Sequence, residues 1–156
     1  MYDGKASLLE GENNAGVACF KGPRLLHMLE DAIGGDGFQK AIAEYCRRSL
    51  AQPSGWEILA ACAEQYAPPD FDARSFLLPW LAGKSAPYLT AQTDGHMVTI
   101  REEPPNFVLP VLVEASTAQG SERHRIWVKG PQTTVTFSGE PSDVQIDPNG
   151  SLLLRR

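Results

Sequence analysis

The chain has 156 residues, of which 42% are hydrophobic and 21% charged, a composition typical of a globular protein rather than a disordered one. Its net charge of −5 disfavours nonspecific binding to nucleic acid or anionic membranes, because both are polyanions. No run of about 18 apolar residues is present, so no membrane-spanning helix is expected. Cys19, Cys46 and Cys62 are odd in number and widely spaced, which predicts buried free thiols rather than disulfides or a zinc ribbon.

The first 18 residues predict an irregular lead-in. Residues 1–18 contain several glycines and asparagines and few large apolar side chains, and they lack the basic region and apolar run of a secretory signal. Apolar residues then recur at helical spacing, which predicts a first helix over about residues 20–33. Pro23 is expected in its first turn, where the missing N–H costs little, and Gly34 supplies a stop.

Two further helices have recognisable start signals. Asp36 is a candidate cap for a second helix, whose apolar stripe lies opposite its charged residues. Ser54 is followed by Glu57, the spacing of a capping box, and so predicts the start of a third helix. Pro68 and Pro69 end this third helix.

A fourth helix is predicted to start at Asp70 or Asp72. It carries Phe76 and Trp80 toward the core, and Pro79 either kinks it or lies in its last turn. Four short helices in so few residues predict a compact antiparallel bundle.

After Pro87 the helical spacing gives way to short runs of period-two character, separated by Gly, Pro, Asn and Asp. The predicted strands cover residues 97–101, 107–114, 125–129, 133–137, 144–147 and 152–154. They indicate a small antiparallel β-sandwich, so the chain is expected to be an α+β protein. Such a sandwich is marginal alone and is expected to pack against the helices or another domain.

Three details of the strand region carry predictions. Arg123, His124, Arg125 and Lys129 form a basic cluster that strand alternation should divide between two sheet faces, which favours a solvated surface over a nucleic-acid site. Trp127 is expected in the core. The Asn-Gly pair at residues 149–150 predicts a hairpin turn more strongly than a glycosylation site.

Two segments carry a resemblance to a known family. Residues 20–45 read FKGPRLLHMLEDAIGGDGFQKAIAEY, and residues 76–89 read FLLPWLAGKSAPYL. Together they resemble the C-terminal portion of aminopeptidase-N-like zinc metallopeptidases, peptidase family M-one, in which a Tyr-x-Lys-Gly segment opens a helix beside the catalytic cleft. Lys21 and Gly22 match that segment, and the tyrosine position holds Cys19.

The resemblance covers about residues 17–155 and implies a domain layout. Residues 1–18 are the lead-in, residues 19–86 resemble the end of the catalytic domain, and residues 87–156 resemble the β-sandwich that follows it. Phe76, Trp80 and Pro87 fit the family pattern at this junction, where their implied role is packing.

The implied activity of the intact parent is zinc-dependent hydrolysis of N-terminal peptide bonds. That chemistry needs His-Glu-x-x-His and a later glutamate, and the sequence has no such motif, so no metal or cofactor is expected in this chain. The family tyrosine donates a hydrogen bond to the oxyanion of the tetrahedral intermediate. The thiol of Cys19 is a shorter and weaker donor, so this role does not carry over and the chain alone is expected to be inactive.

Two motif residues have expected structural roles. Lys21 is a candidate partner for a carboxylate from the missing upstream part, and Gly22 for the close approach of another helix. The expected partner is the upstream metallopeptidase region or another protein chain, and the missing half should leave an exposed apolar helix face.

Two other functions remain open from the sequence. One is a noncatalytic module that binds a peptide or a partner protein. The other is an independent thiol hydrolase in which Cys19 is the nucleophile and His27 the base.

Overall fold

The computed structural model describes residues 7–9, 15–51, 54–104 and 106–155, which form an α+β fold with the helices first and the strands after them, as predicted. The helices are α1 Ala15–Ile33, α2 Gly35–Ser49, α3 Trp56–Tyr66 and α4 Ala73–Ala82. The strands are β1 Tyr88–Asp94, β2 Met97–Glu103, β3 Val108–Thr117, β4 Gly120–Lys129, β5 Gln132–Thr136 and β6 Ser142–Ile146. No helix in this described part of the chain is both long and apolar enough to span a membrane.

Helix α1 begins earlier than predicted. Its first residue is Ala15, so the end of the predicted lead-in is already helical and the expected start near residue 20 is wrong. Pro23 therefore lies well inside the helix rather than in its first turn, and the carbonyl of Cys19 loses the N–H that it would otherwise accept from. Leu25, Met28 and Leu29 form the buried face at helical spacing.

Helices α2 and α3 start without the predicted side-chain caps. Gly34 precedes α2 with a φ of 81°, and Gly55 precedes α3, and neither position makes a side-chain cap hydrogen bond. Asp36 instead lies in the first turn of α2, where its carboxylate interacts favourably with the helix dipole. The capping box predicted from Ser54 and Glu57 is wrong, because α3 begins one residue later than that pattern requires.

Helix α4 has the predicted acidic cap. One carboxylate oxygen of Asp72 accepts a hydrogen bond from the backbone N–H of Ser75 at 2.9 Å, and the other accepts from the Ser75 hydroxyl at 2.6 Å. Phe76 and Trp80 lie on its buried face, and Pro79 lies within its last turn.

The strands form two three-stranded antiparallel sheets, with the strand order β1-β2-β5 in one sheet and β4-β3-β6 in the other. Strand β1 was not predicted, because Leu89 is its one buried residue and no alternation marks it. The strand predicted over residues 152–154 is absent. The Asp147 carboxylate accepts the backbone N–H groups of Ser151 and Leu152 there, which curls the backbone after β6.

The predicted turn at residues 149–150 is present, although no strand follows it. The Gly150 N–H donates to the Asp147 carbonyl at 2.9 Å, and Gly150 has a φ of 64° that glycine adopts without strain.

Side chains of both sheets fill the interior of the sandwich, among them Val98 and Ile100 from β2 and Val111 and Val113 from β3. The other face of β4 contacts the segment between α3 and α4 through Trp127, whose ring centroid lies 6.0 Å from that of Phe71.

Strand β4 divides the basic cluster between its faces, as predicted. Arg123, Arg125 and Lys129 are exposed, whereas His124 on the opposite face is half-buried. Trp127 shares the exposed face and keeps 36% of its surface accessible, so its predicted place in the core is wrong. The Arg125 guanidinium donates to the carbonyl of Asp31 in α1 at 3.2 Å, which ties this face to the helices.

Candidate functional site

The lysine of the Lys-Gly motif is buried in the protein. Lys21 is 1% exposed, and its Nζ donates a hydrogen bond of 2.7 Å to the carbonyl of Gly83, directly after α4. A side chain at Gly83 would collide with the carbonyl oxygen of Pro79, so the tight end of α4 requires glycine. Lys21 therefore fixes this part of α1 against the end of α4. An ion pair between Lys21 and a carboxylate from outside the chain remains a prediction.

Burial also changes the proton affinity of this lysine. Desolvation lowers the pKa of Lys21 from 10.5 to about 8, because the charged ammonium loses its hydration. The unfolded chain binds a proton here up to about pH 10.5, whereas the folded chain releases it near pH 8. Stability contributed by this group is therefore present above pH 10.5 and is lost as the pH falls through 8.

We expect this dependence to disappear in Lys21→Met. The wild-type free energy of unfolding should rise between pH 8 and 10.5 relative to the variant, by at most about 3 kcal/mol for a pKa change of this size. Urea denaturation across this pH range measures the difference. The exposed Lys40→Met serves as the control and should keep the wild-type profile; parallel profiles for wild type and Lys21→Met would contradict the assignment.

Gly22 has open space around it. A Cβ atom added there would meet nothing within 4 Å, so the close helix approach predicted for this glycine is not made within the described part of the chain.

The opposite face of α1 is exposed and partly apolar, with the polar His27 and Glu30 in the same arc. Cys19, Phe20, Pro23 and Leu26 lie within one arc of the helix surface, and we refer to these four residues as the α1 outer face. Phe20 is 78% exposed and Leu26 38%. Cys19 is exposed here and Cys46 is exposed on α2, so the burial predicted for the thiols is wrong except at Cys62. Contiguous apolar groups of this kind mark interaction surfaces. The exposed apolar helix face expected from the sequence is therefore present.

The junction residues of the resemblance are all buried. Phe76 and Trp80 are fully inaccessible, and Pro87 is buried between α4 and β1. The Trp80 ring lies 4.4 Å from that of Phe107, centroid to centroid, which joins α4 to the segment before β3. The Pro87 carbonyl accepts the N–H of Arg155 at 2.8 Å.

A dyad of Cys19 and His27 does not form. Both residues lie on α1, and the rise of an α-helix separates positions 19 and 27 by about 12 Å along the axis. The Nδ1 atom of His27 instead lies 3.6 Å from a carboxylate oxygen of Glu30. The thiol hydrolase considered from the sequence therefore has no base at His27.

The residues present do not fit the zinc site that the resemblance implies for the intact parent. Among residues 7–9, 15–51, 54–104 and 106–155, no three His, Cys, Asp or Glu side chains lie close enough to hold one metal ion. His124 contacts Glu122 at 2.6 Å on β4, and the Glu122 carboxylate also accepts from the Ser138 N–H and hydroxyl.

A buried carboxyl group in the sandwich was missed from the sequence. Glu102 is 2% exposed, and its Oε1 accepts the backbone N–H of Phe107 at 2.8 Å. Its Oε2 is buried and contacts no hydrogen-bond donor in the described part of the chain. Burial raises the pKa of Glu102 from 4.5 to about 7. Its alternation with Val98 and Ile100 is the signal that places it inside.

The fold of the whole chain resembles part of a solved peptidase. The crystal structure of Legionella pneumophila aminopeptidase A in complex with aspartic acid superimposes on 90% of this chain with a TM-score of 0.69. The fold of this chain is therefore similar to that of one part of this aminopeptidase. The two sequences are 14% identical, so the likeness extends to the fold alone, and the matched region is 18% of the Legionella chain. No family model and no curated protein matches the sequence.

Proposed function

We propose that this chain is a noncatalytic region of an aminopeptidase-like metallopeptidase, corresponding to the last helices of a catalytic domain and the β-sandwich after them. The observation that carries the proposal is the structural likeness over 90% of this chain to 18% of a larger aminopeptidase. The Lys-Gly motif at residues 21–22 supports the same assignment independently. The intact parent would hydrolyse N-terminal peptide bonds with a zinc ion held upstream.

In this proposal α1 is a wall element and the rest of the chain supports it. Lys21 holds α1 to the end of α4 through Gly83, and Arg24 reaches the sandwich by donating to the carbonyl of Gly150 at 2.9 Å. Arg125 adds the third link to α1, through Asp31. A helix fixed at three points presents its outer face rigidly, which suits a surface that must match the remainder of an enzyme.

The side chain at the family tyrosine position fits a supporting role. Cys19 is exposed on the α1 outer face, next to Phe20, and no described base lies beside it. A thiol supplies a poor hydrogen bond to an oxyanion, so the parent needs another donor if it is active.

The activity of the isolated chain tests the proposal. Incubated with zinc and an aminoacyl p-nitroanilide, the 156-residue chain should bind less than stoichiometric metal and release no p-nitroaniline. Turnover with one zinc per chain would overturn the noncatalytic assignment. Reading the coding sequence upstream of Met1 for His-Glu-x-x-His provides the second arm, and its absence would favour the alternative below.

We expect Phe20→Ser to weaken docking of the upstream region. Removing an exposed aromatic anchor typically lowers affinity at least tenfold when it lies at the centre of an interface. The measurement is calorimetric titration of the chain with the separately expressed upstream segment. Leu50→Ser is the matched control, because Leu50 is 91% exposed and lies outside α1. Equal affinities for the two variants would remove the α1 outer face from the interface.

An interaction module that binds a partner protein is the alternative function. The same exposed face favours it, because Phe20 and Leu26 form an apolar surface without a cover in the described chain. An intergenic start before Met1, together with docking of a separate protein at Phe20, would support this alternative over the first.

A further inference from the structure

Strand β1 forms an edge of its sheet, lies beside β6 of the other sheet, and carries few of the features that protect edge strands. It pairs with β2 alone, in a continuous register from Tyr88↔Glu103 to Asp94↔Met97 without a bulge. It contains no lysine, arginine or proline, and its residues other than Leu89 are exposed. Natural edge strands normally carry such features because an open edge pairs readily with another strand.

The register identifies which backbone groups of β1 face outward. The Glu102 N–H donates to the Pro131 carbonyl, and the Phe137 N–H donates to the His96 carbonyl, so even-numbered residues of β2 bond toward β5. Odd-numbered residues of β2 therefore bond toward β1, where their partners are even-numbered.

The odd-numbered residues of β1 consequently direct their N–H and C=O groups to the open edge. These residues are Leu89, Ala91 and Thr93, and no described residue makes a backbone hydrogen bond with them. The Pro87 carbonyl has the same orientation and accepts the Arg155 N–H, which closes the edge at that end and leaves residues 89–93 open.

We propose that β1 is the interface of a symmetric dimer, in which two copies of this chain pair their β1 strands antiparallel about a two-fold axis at Ala91. In this register Ala91 faces Ala91 of the second copy, and Leu89 faces Thr93. Each outward donor then meets an outward acceptor, so the pairing uses the whole open edge. The β1-β2-β5 sheet of one copy and that of the second copy become one continuous sheet across the axis.

Side-chain chemistry favours a second copy as the occupant. Thr90 faces Gln92 of the second copy, a neutral pair able to hydrogen-bond, and Tyr88 faces Asp94. The Arg155 guanidinium lies 5.8 Å from the centre of the Tyr88 ring, so it is placed to meet that carboxylate. No like charges oppose each other in this register, and opposite charges meet at both ends.

Cross-linking at the axis tests the register. In a Cys19→Ser, Cys46→Ser background, Ala91→Cys should form an intermolecular disulfide on mild oxidation, because hydrogen-bonded antiparallel pairs have Cα atoms about 5.5 Å apart. Thr93→Cys is the matched control, since two copies of that position would lie roughly 13 Å apart and should remain unlinked. Equal cross-linking by the two variants would overturn the register.

Sedimentation tests the dimer itself. The chain should show reversible self-association between about 10 µM and about 1 mM, the range of small transient interfaces. Ala91→Pro should abolish it without unfolding the sheet, because the lost N–H points away from β2. Gln92→Lys should weaken it, whereas Gln132→Lys on β5 should not. A monomer at about 1 mM, or a dimer lost in Phe20→Ser and kept in Ala91→Pro, would overturn the proposal.

Discussion

Replacing Trp80 with alanine is expected to lower the free energy of unfolding by about 3 to 5 kcal/mol, the range for deleting a fully buried large aromatic side chain. Trp80 has no accessible surface, and its ring lies 4.4 Å from Phe107. Because this contact joins α4 to the segment before β3, helices and sheets should unfold together in a single, earlier transition. Urea denaturation followed by circular dichroism and by the fluorescence of Trp56 and Trp127 measures both quantities.

Two control substitutions separate the loss of packing at Trp80 from the effect of its buried indole N–H. Trp80→Phe should cost clearly less than alanine, because Nε1 of Trp80 is buried and has no acceptor in the described chain, and phenylalanine removes that unsatisfied donor. Trp127→Ala removes the same side chain at a site that is 36% exposed, and it should cost less than Trp80→Ala. Separate helix and sheet transitions in Trp80→Ala, or a loss below about 1 kcal/mol, would contradict the joint packing.

The elements predicted well are those whose apolar residues alone decide their position. Helix α4, helix α1 from about residue 20 onward and strands β2 to β5 bury regular rows of side chains, so spacing located them. Strand β1 was missed because it buries only Leu89 and is held by backbone pairing to β2. Periodicity detects burial and carries no information about a strand that is held mainly by backbone pairing.

Helix starts were predicted from side-chain caps, and only Asp72 makes its bond. At α2 and α3 a glycine occupies the cap position, and its broad backbone freedom lets the chain enter the helix without a side-chain acceptor. The sequence offers both signals within two residues of each other, and tertiary packing decides which one operates.

The candidate site likewise has features that the sequence predicted and features that it did not. Motif residues 19–22 could be located from the sequence, and the exposed face beside them could be anticipated from the family resemblance. The bond from Lys21 to the Gly83 carbonyl could not, because a backbone acceptor 62 residues away leaves no mark in residue identity. Likewise, Glu102 alternates with Val98 and Ile100, but its charge favours the solvent face, so the sequence signals conflict and the fold decides that Glu102 is inside.

Glu102→Gln is expected to stabilise the protein at pH 8.5 and to have little effect at pH 5. Burial raises the pKa of Glu102 from 4.5 to about 7, so the folded chain keeps its proton between those values while the unfolded chain has released it. Stability from this group is complete below pH 4.5 and is lost as the pH rises through 7. Glutamine imitates the neutral acid at every pH and keeps an oxygen acceptor for the Phe107 N–H.

The difference should reach at most about 3 kcal/mol in favour of the variant at pH 8.5, the free energy equivalent of this pKa change. Urea denaturation at pH 5 and 8.5 measures it, with Glu103→Gln as the control, because the neighbouring Glu103 is exposed and should follow the wild type. If the variant and the wild type differ equally in their free energy of unfolding at the two pH values, the carboxyl group is not neutral in the fold. The contribution of Lys21 to the free energy of unfolding instead rises with pH above about 8. The summed contribution of Lys21 and Glu102 is therefore lowest between about pH 7 and 8.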